Sequence, residues 1–172
     1  AQKFNSDFEI ENFLQVPEPL IQKEFSRIMS LKDGARKMSK SELSDLSRIN
    51  LTDDKDLIIN KIKKAKTDPL LMPNTTKDLD ERLEAKNLLG IYASLTNSTL
   101  EKNVEYFAGK NFSEFKEKLS EVLVDKIQPI SLEIKKLLDD KSYLDNTLLE
   151  GVERANIIAS KKIKRIKEIV GF

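Results

Sequence analysis

Apolar side chains recur at steps of three and four residues from Thr52 to the end of the chain, and no alternating strand pattern interrupts them. Such stripes bury one face of a helix each, so they predict a bundle of five or six helices. The stripes run over 58–65, 88–95, 115–130 and 148–170. Pro69 and Pro73 should end the first helix, and Pro129 should kink or divide a later one. Thr52 or Asp53 is the expected N-cap of the first.

The first fifty residues have a different pattern. Pro17 and Pro19 exclude a helix and predict an extended connector. The apolar run 27–31 predicts a short buried strand that ends at the turn signal Lys32-Asp33-Gly34. The segment Lys37-Met-Ser-Lys-Ser41 follows that turn, where it would lie on a loop leaving a strand. We therefore expect a mainly α chain with two domains, a short α/β segment over 1–50 and a helical one over 51–172.

Composition excludes several classes of site. The 172 residues include 30 Lys and Arg, 29 Asp and Glu, no cysteine and no histidine. Disulfides, thiolate metal sites and histidine-dependent catalysis are therefore excluded, and we predict no protein-bound metal. A net charge of +1 means that nucleic-acid binding would need a local basic face. No apolar run approaches the roughly 18 residues of a membrane span, so we expect no membrane partner.

The pentapeptide KMSKS is the phosphate-handling signature of class I aminoacyl-tRNA synthetases, and its neighbours are equally informative. It follows Arg27-Ile-Met-Ser-Leu and precedes Leu51-Thr-Asp-Asp54 and a lysine-rich run ending at Ala65-Lys-Thr-Asp68. Glu84-Ala-Lys-Asn-Leu-Leu-Gly-Ile-Tyr92 and Gly151-Val-Glu-Arg-Ala-Asn156 lie further on. Over essentially its whole length, the sequence resembles the C-terminal half of the bacterial-type (or mitochondrial) tryptophanyl-tRNA synthetase family. The resemblance implies that 1–50 is the end of a Rossmann-type catalytic domain and 51–172 an anticodon-binding bundle.

The resemblance also implies roles for residues of the motif. Lys40 would be the main contact to the leaving pyrophosphate, and hence the catalytic residue, while Lys37 would help to hold the loop closed. Ile28 would contact the adenine through its backbone, and Gly34 would act as a hinge. The ATP-binding set is Ile28, Lys37, Met38, Ser39, Lys40 and Ser41. Many relatives continue Ser-Asp-Pro where this chain has Ser41-Glu42-Leu43, so the stiffness of the loop differs.

Basic residues on the last helix are candidates for contact with tRNA phosphates: Lys161, Lys162, Lys164 and Arg165. Cations near a helix C-terminus are also favoured by the helix dipole and by solubility, so both explanations stay open. The same two explanations apply to the lysines of 61–66.

The resemblance covers only half of such an enzyme. We expect a cut chain, because it starts at Ala1 with residues typical of a helix interior, and it contains no histidine for a HIGH-type motif. The intact protein would use ATP with Mg²⁺, bind L-tryptophan through the missing half and charge tRNA(Trp), as a homodimer in the cytoplasm or mitochondrial matrix. The isolated chain would be inactive and could be monomeric. A tyrosyl-tRNA synthetase fragment and a non-enzymatic helical module are the alternatives.

Overall fold

The computed structural model describes residues 1–21 and 26–172, so residues 22–25 of the predicted segment 1–50 lie outside the described part. Six α-helices, one β-hairpin and two short 3-10 helices make up the described chain. In chain order these are α1 (Gln2–Asp7), β1 (Met29–Ser30), β2 (Asp33–Lys37), a 3-10 turn (Asp45–Ser47), α2 (Lys55–Lys63), a second 3-10 turn (Lys77–Asp80), α3 (Leu83–Thr96), α4 (Leu100–Phe107), α5 (Phe112–Asp139) and α6 (Lys141–Val170). The prediction of a mainly α chain with a short β element ahead of the bundle is confirmed.

Two compact units divide the chain. One comprises Gln22–Lys136, and the other comprises Ala1–Ile21 together with Leu137–Phe172. The predicted division into a catalytic-domain segment over 1–50 and a helical domain over 51–172 stays a prediction.

The larger unit contains the hydrophobic core. Its buried residues come from the hairpin and from α2, α3, α4 and α5, and they include Leu31, Ile58, Leu88, Phe107 and Phe115. The rings of Phe107 and Phe115 meet edge to face, with centroids 4.8 Å apart. Burial of such side chains supplies most of the stabilisation of a bundle. The predicted stripe of Ile58, Ile62 and Ala65 is buried as expected, although α2 ends at Lys63 and Ala65 lies just beyond it.

Helix α3 fixes the position of the β-hairpin. Gly34 in β2 lies against the start of α3, and a Cβ at this position would be 2.7 Å from the Leu83 carbonyl carbon and the Glu84 nitrogen. One turn later, Asn87 accepts a hydrogen bond from the Met29 N–H and donates one to the Met29 carbonyl, both at 2.9 Å. The amide of Asn87 thus pairs with β1 as a neighbouring strand would. Gly34 is therefore a close-approach glycine within a strand, where the sequence suggested a hinge.

Several predicted boundaries needed correction. The strand expected at 27–31 is limited to Met29–Ser30. The turn expected at 32–34 lies at Leu31 and Lys32, and Gly34 belongs to the second, antiparallel strand, which includes Lys37 of the motif. The N-cap of α2 is Asp54, whose side chain accepts a hydrogen bond from the Leu57 N–H, and not Thr52 or Asp53. Pro129 does not divide α5, which continues through it.

The smaller unit is formed by the N-terminal segment and α6. Phe4 contacts Phe8 and Phe13, with ring centroids 4.8 and 6.1 Å away. Lys162 of α6 donates a hydrogen bond to the Phe13 carbonyl, and its Nζ lies 4.0 Å from the centre of the Phe13 ring. No residue of α6 is buried, so the apolar stripe predicted for this helix is exposed within its own unit.

Among the described residues, no helix is both long enough and apolar enough to span a bilayer.

Candidate functional site

A cavity of about 520 Å³ lies beside the end of β2 in the larger unit. It is lined by 26–28 from the segment before β1, by 37–40 from the end of β2 and the following loop, and by 48–51 from the segment before α2. The antiparallel pairing positions these pieces, because Met29 lies opposite Lys37 and the Met38 N–H donates to the Ile28 carbonyl at 3.0 Å. The hairpin therefore holds Ile28 next to the start of the KMSKS segment, and both line the same cavity.

The structure brings five of the six predicted ATP-binding residues to this cavity: Ile28, Lys37, Met38, Ser39 and Lys40. Ser41 does not line it. Its hydroxyl is 2.9 Å from the Ser39 hydroxyl, and its N–H donates to the same Ser39 oxygen at 3.3 Å. Ser41 therefore stabilises the conformation of the loop and is not part of the cavity lining.

The charge of the cavity lining has one sign. Four of its side chains are cationic, namely Arg27, Lys37, Lys40 and Arg48, and the described lining contains no carboxylate. Within residues 1–21 and 26–172, neither Lys37 nor Lys40 forms an ion pair. Concentrated positive charge in a concave site with serine hydroxyls at its edge suits a polyanion such as a chain of phosphates.

An ion-pair network lies behind the Arg48 side of the cavity. Lys61 is fully buried, and its Nζ is 2.6 Å from Asp53 Oδ2 and 2.7 Å from Asp45 Oδ2. Arg48 pairs with the other Asp45 oxygen at 3.0 Å. Asn50 closes the network by donating from its N–H to Asp53 at 2.9 Å and from its side-chain amide to Asp45 at 3.0 Å. Two cations and two carboxylates therefore balance one another.

The network affects the titration of Asp45. Its pKa is lowered below the usual aspartate value, chiefly by the hydrogen bond from Lys61 and then by the one from Asn50. Both donors favour the ionised carboxylate, so Asp45 stays charged at neutral pH.

The sequence predicts none of the network residues as part of the site. For Lys61 it predicts either contact with tRNA phosphates or a role in the helix dipole and solubility. A signal was present, however. Lys61 lies three residues after Ile58 and four before Ala65, so it belongs to the same buried stripe. A lysine on an apolar face needs a carboxylate partner, and Asp53 lies two turns earlier.

The candidate tRNA-contacting residues all lie on exposed turns of α6. Lys162 contacts Phe13, and Arg165 pairs with Glu168 at 2.9 Å. Lys161 and Lys164 lie on the same exposed segment. The structure leaves their predicted role untested.

The described residues contain no cluster of three or more acidic, histidine or cysteine side chains able to hold a metal ion. Mg²⁺ bound in the cavity would find no carboxylate in the described lining.

A family model and the similar curated proteins assign this chain to the same family. Residues 1–128 match the family model described as tRNA synthetases class I (W and Y). A tryptophan–tRNA ligase from Caulobacter vibrioides is 46% identical over 172 residues, a match that covers 100% of this chain and 50% of the relative. The chain thus spans about half the length of the curated relatives it matches.

Solved structures have the same fold. A tryptophanyl-tRNA synthetase from Mycoplasma pneumoniae superposes with a TM-score of 0.82 at 24% identity, covering 100% of this chain and 51% of that one. A tryptophanyl-tRNA synthetase from Campylobacter jejuni, complexed with ADP and tryptophan, superposes with a TM-score of 0.66 at 21% identity, covering 100% and 51%.

Proposed function

The chain belongs to the class I tRNA synthetases of the W and Y family, and from this premise we propose that it is the C-terminal half of a tryptophan–tRNA ligase. The complete enzyme activates tryptophan with ATP and transfers it to tRNA(Trp). This half supplies the phosphate loop and the tRNA-binding helices. The family description covers both W and Y enzymes, whereas the named relatives favour tryptophan.

One observation supports the proposal above the others, namely the cavity lined by four cations beside the KMSKS loop. An ATP molecule whose adenine meets the Ile28 backbone would place its phosphates toward Lys37 and Lys40. The Ile28 carbonyl accepts the Met38 N–H, and in our proposal the Ile28 N–H is the backbone group that recognises the base.

The reaction explains why mobile cations are placed there. The tryptophan carboxylate attacks the α-phosphate of ATP, the bond from that phosphate to the β-phosphate bridging oxygen breaks, and pyrophosphate leaves with its magnesium. Negative charge accumulates on the leaving group, so a lysine aimed at it stabilises the transition state more than the ground state. In our proposal Lys40 has this role, and Lys37 at the end of β2 holds the loop over the phosphates.

In this proposal, magnesium reaches the site bound to ATP. Because the described cavity lining has no carboxylate, the phosphates themselves would coordinate the ion, and the chain's lysines would share the neutralisation of the charge.

The helices after Thr52 have the second role, contact with tRNA(Trp). Lys161, Lys162, Lys164 and Arg165 form an exposed basic segment of α6 suited to phosphate contacts. We place the complete enzyme in the cytoplasm as a homodimer, with the mitochondrial matrix as the alternative compartment.

ATP–pyrophosphate exchange tests the first role. We expect the full-length enzyme to exchange label in the presence of tryptophan and not of tyrosine, and the 172-residue chain alone to be inactive. Exchange that depends on tyrosine would replace the proposal with the tyrosyl alternative, and exchange with neither amino acid would refute both.

Fluorescence anisotropy tests the second role. The chain is titrated with tRNA(Trp) and a noncognate tRNA at low and at moderate salt. A preference that survives moderate salt supports recognition by these helices, whereas equal binding that salt abolishes contradicts it.

A further inference from the structure

The KMSKS loop is attached to the rest of the protein at both of its ends. At the first end, Lys37 belongs to β2 and the Met38 N–H bonds to Ile28. Between the ends, the hydrogen bonds of Ser39 and Ser41 stay within the loop. At the second end, the Glu42 carbonyl accepts a hydrogen bond from Arg48 Nη1 at 3.0 Å. The second attachment therefore depends on a side chain from a different segment.

Each of the three guanidinium nitrogens of Arg48 contacts an acceptor oxygen. Besides the bond to Glu42, its Nε donates to Asn50 Oδ1 at 3.3 Å and its Nη2 pairs with Asp45 Oδ1 at 3.0 Å. The side chain is only 18% exposed. A planar guanidinium held at three points has a fixed direction, whereas a lysine could satisfy one of these acceptors at a time.

The far end of this arrangement is anchored in the core. Asp45 shares the buried Nζ of Lys61 with Asp53, which is itself 4% exposed. Lys61 projects from α2, whose Ile58 and Ile62 are fully buried. A continuous set of charge-assisted contacts therefore joins α2 to the KMSKS loop, in the order Lys61, Asp45, Arg48 and the Glu42 carbonyl.

We propose that this set of contacts is a brace that fixes the C-terminal end of the KMSKS loop and so sets the position from which Lys40 meets the leaving pyrophosphate. Arg48 is then a positioning residue, and its own contribution to the field in the cavity is secondary. The inference rests on the proposed function, because it assigns the brace a role in that reaction.

Two substitutions of Arg48 in the full-length enzyme separate position from charge. Arg48→Met keeps the aliphatic stem and removes every donor, and Arg48→Lys keeps the charge and loses the three-point geometry. In tryptophan-dependent exchange we expect kcat to fall about tenfold in both variants, a factor equivalent to ~1.4 kcal/mol. The KM for tryptophan should not change, because that pocket is not built by the loop.

Arg36→Met is the matched control. Arg36 also contacts Glu42, but it pairs with the side-chain carboxylate at 3.3 Å and is 70% exposed, so its loss should leave kcat within about twofold of wild type. An Arg48→Lys enzyme with wild-type kcat would overturn the brace, since charge alone would then suffice. A loss confined to the KM for ATP would overturn it as well.

A second measurement is independent of activity. Brief trypsin digestion of the full-length protein reports the rate of cleavage after Lys37 and Lys40. Arg48→Met should speed this cleavage about tenfold relative to Arg36→Met, because the loop has lost one attachment. Equal rates would refute the brace even in an active enzyme. If the wild-type enzyme showed no tryptophan-dependent exchange, the proposed function would be refuted. The digestion rates would then still test whether Arg48 braces the loop.

Discussion

Replacing Lys61 by methionine removes the one fully buried cation of the described chain and keeps most of its apolar volume. The substitution leaves Asp53, which is 4% exposed, as a carboxylate without its partner at 2.6 Å. Two hydrogen bonds from Asn50 remain to it, at 2.9 and 3.2 Å. Amide donors cannot replace a full opposite charge in a site closed to water.

The expected cost follows from this burial. Removing one partner of a buried pair typically destabilises a protein by about 3–5 kcal/mol, because the remaining charge is uncompensated. Asp45 contributes little to this loss, since it is half exposed and keeps Arg48 as a partner. With an m-value of about 2 kcal/mol per M, the urea midpoint should fall by roughly 1.5–2.5 M.

Urea unfolding of the 172-residue chain, followed by far-UV circular dichroism, measures this change. Lys66→Met is the matched control, because Lys66 also pairs with a carboxylate at 2.7 Å but is 60% exposed, and the midpoint should move only slightly. The double variant Asp53→Asn/Lys61→Met removes the stranded charge and should be more stable than Lys61→Met alone. The reasoning fails if Lys61→Met and Lys66→Met shift the midpoint equally.

Four further variants test the hairpin, helix α6 and the ion-pair network by the same unfolding assay. Gly34→Ala places a methyl group 2.7 Å from the backbone of α3 and should lower the free energy of unfolding by about 1–3 kcal/mol. Gly151→Ala, with nothing within 4 Å, should instead stabilise α6 by about 0.5–1 kcal/mol. An unchanged stability for Gly34→Ala would contradict the close approach. Asn87→Ala leaves two backbone groups of β1 unpaired and should cost about 1–3 kcal/mol, and no loss would mean that water replaces the amide. The pKa of Asp45 is lowered in the folded state, chiefly by the hydrogen bond from Lys61. Its ionised form therefore stabilises the fold above the unfolded-state pKa of about 4, and this stabilisation is lost as the pH falls below that value. Asp45→Asn should flatten the decline of stability at acid pH, and parallel curves of stability against pH for the variant and the wild type would refute this.

The sequence predicted the helical bundle well, because helices formed by long apolar stripes depend on local periodicity. It also predicted residues that the structure brings together, since KMSKS is contiguous and a hairpin of consecutive residues brings it to Ile28. Their role in binding ATP stays a prediction. Both predictions rest on residues that are close together in the chain.

The missed features depend on contacts between distant segments. Asn87 pairs with Met29 across 58 residues. Position 34 has no room for a Cβ, because α3 begins beside it. The composition of a lysine-rich helix does not distinguish buried Lys61 from its exposed neighbours. The exposure of the apolar stripe on α6 could not be foreseen either, because periodicity shows that a face is apolar and does not say what covers it.

The central claim is that Lys40 acts on the phosphates of ATP from the cation-lined cavity, and single-turnover formation of tryptophanyl-adenylate tests it most directly. In the full-length enzyme, Lys40→Met should slow this step by about 10²–10³-fold, the loss typical of one preorganised group facing a developing charge. Lys32→Met, at the exposed turn of the same hairpin and outside the cavity, should leave the rate unchanged. Equal rates for the two variants would contradict the account.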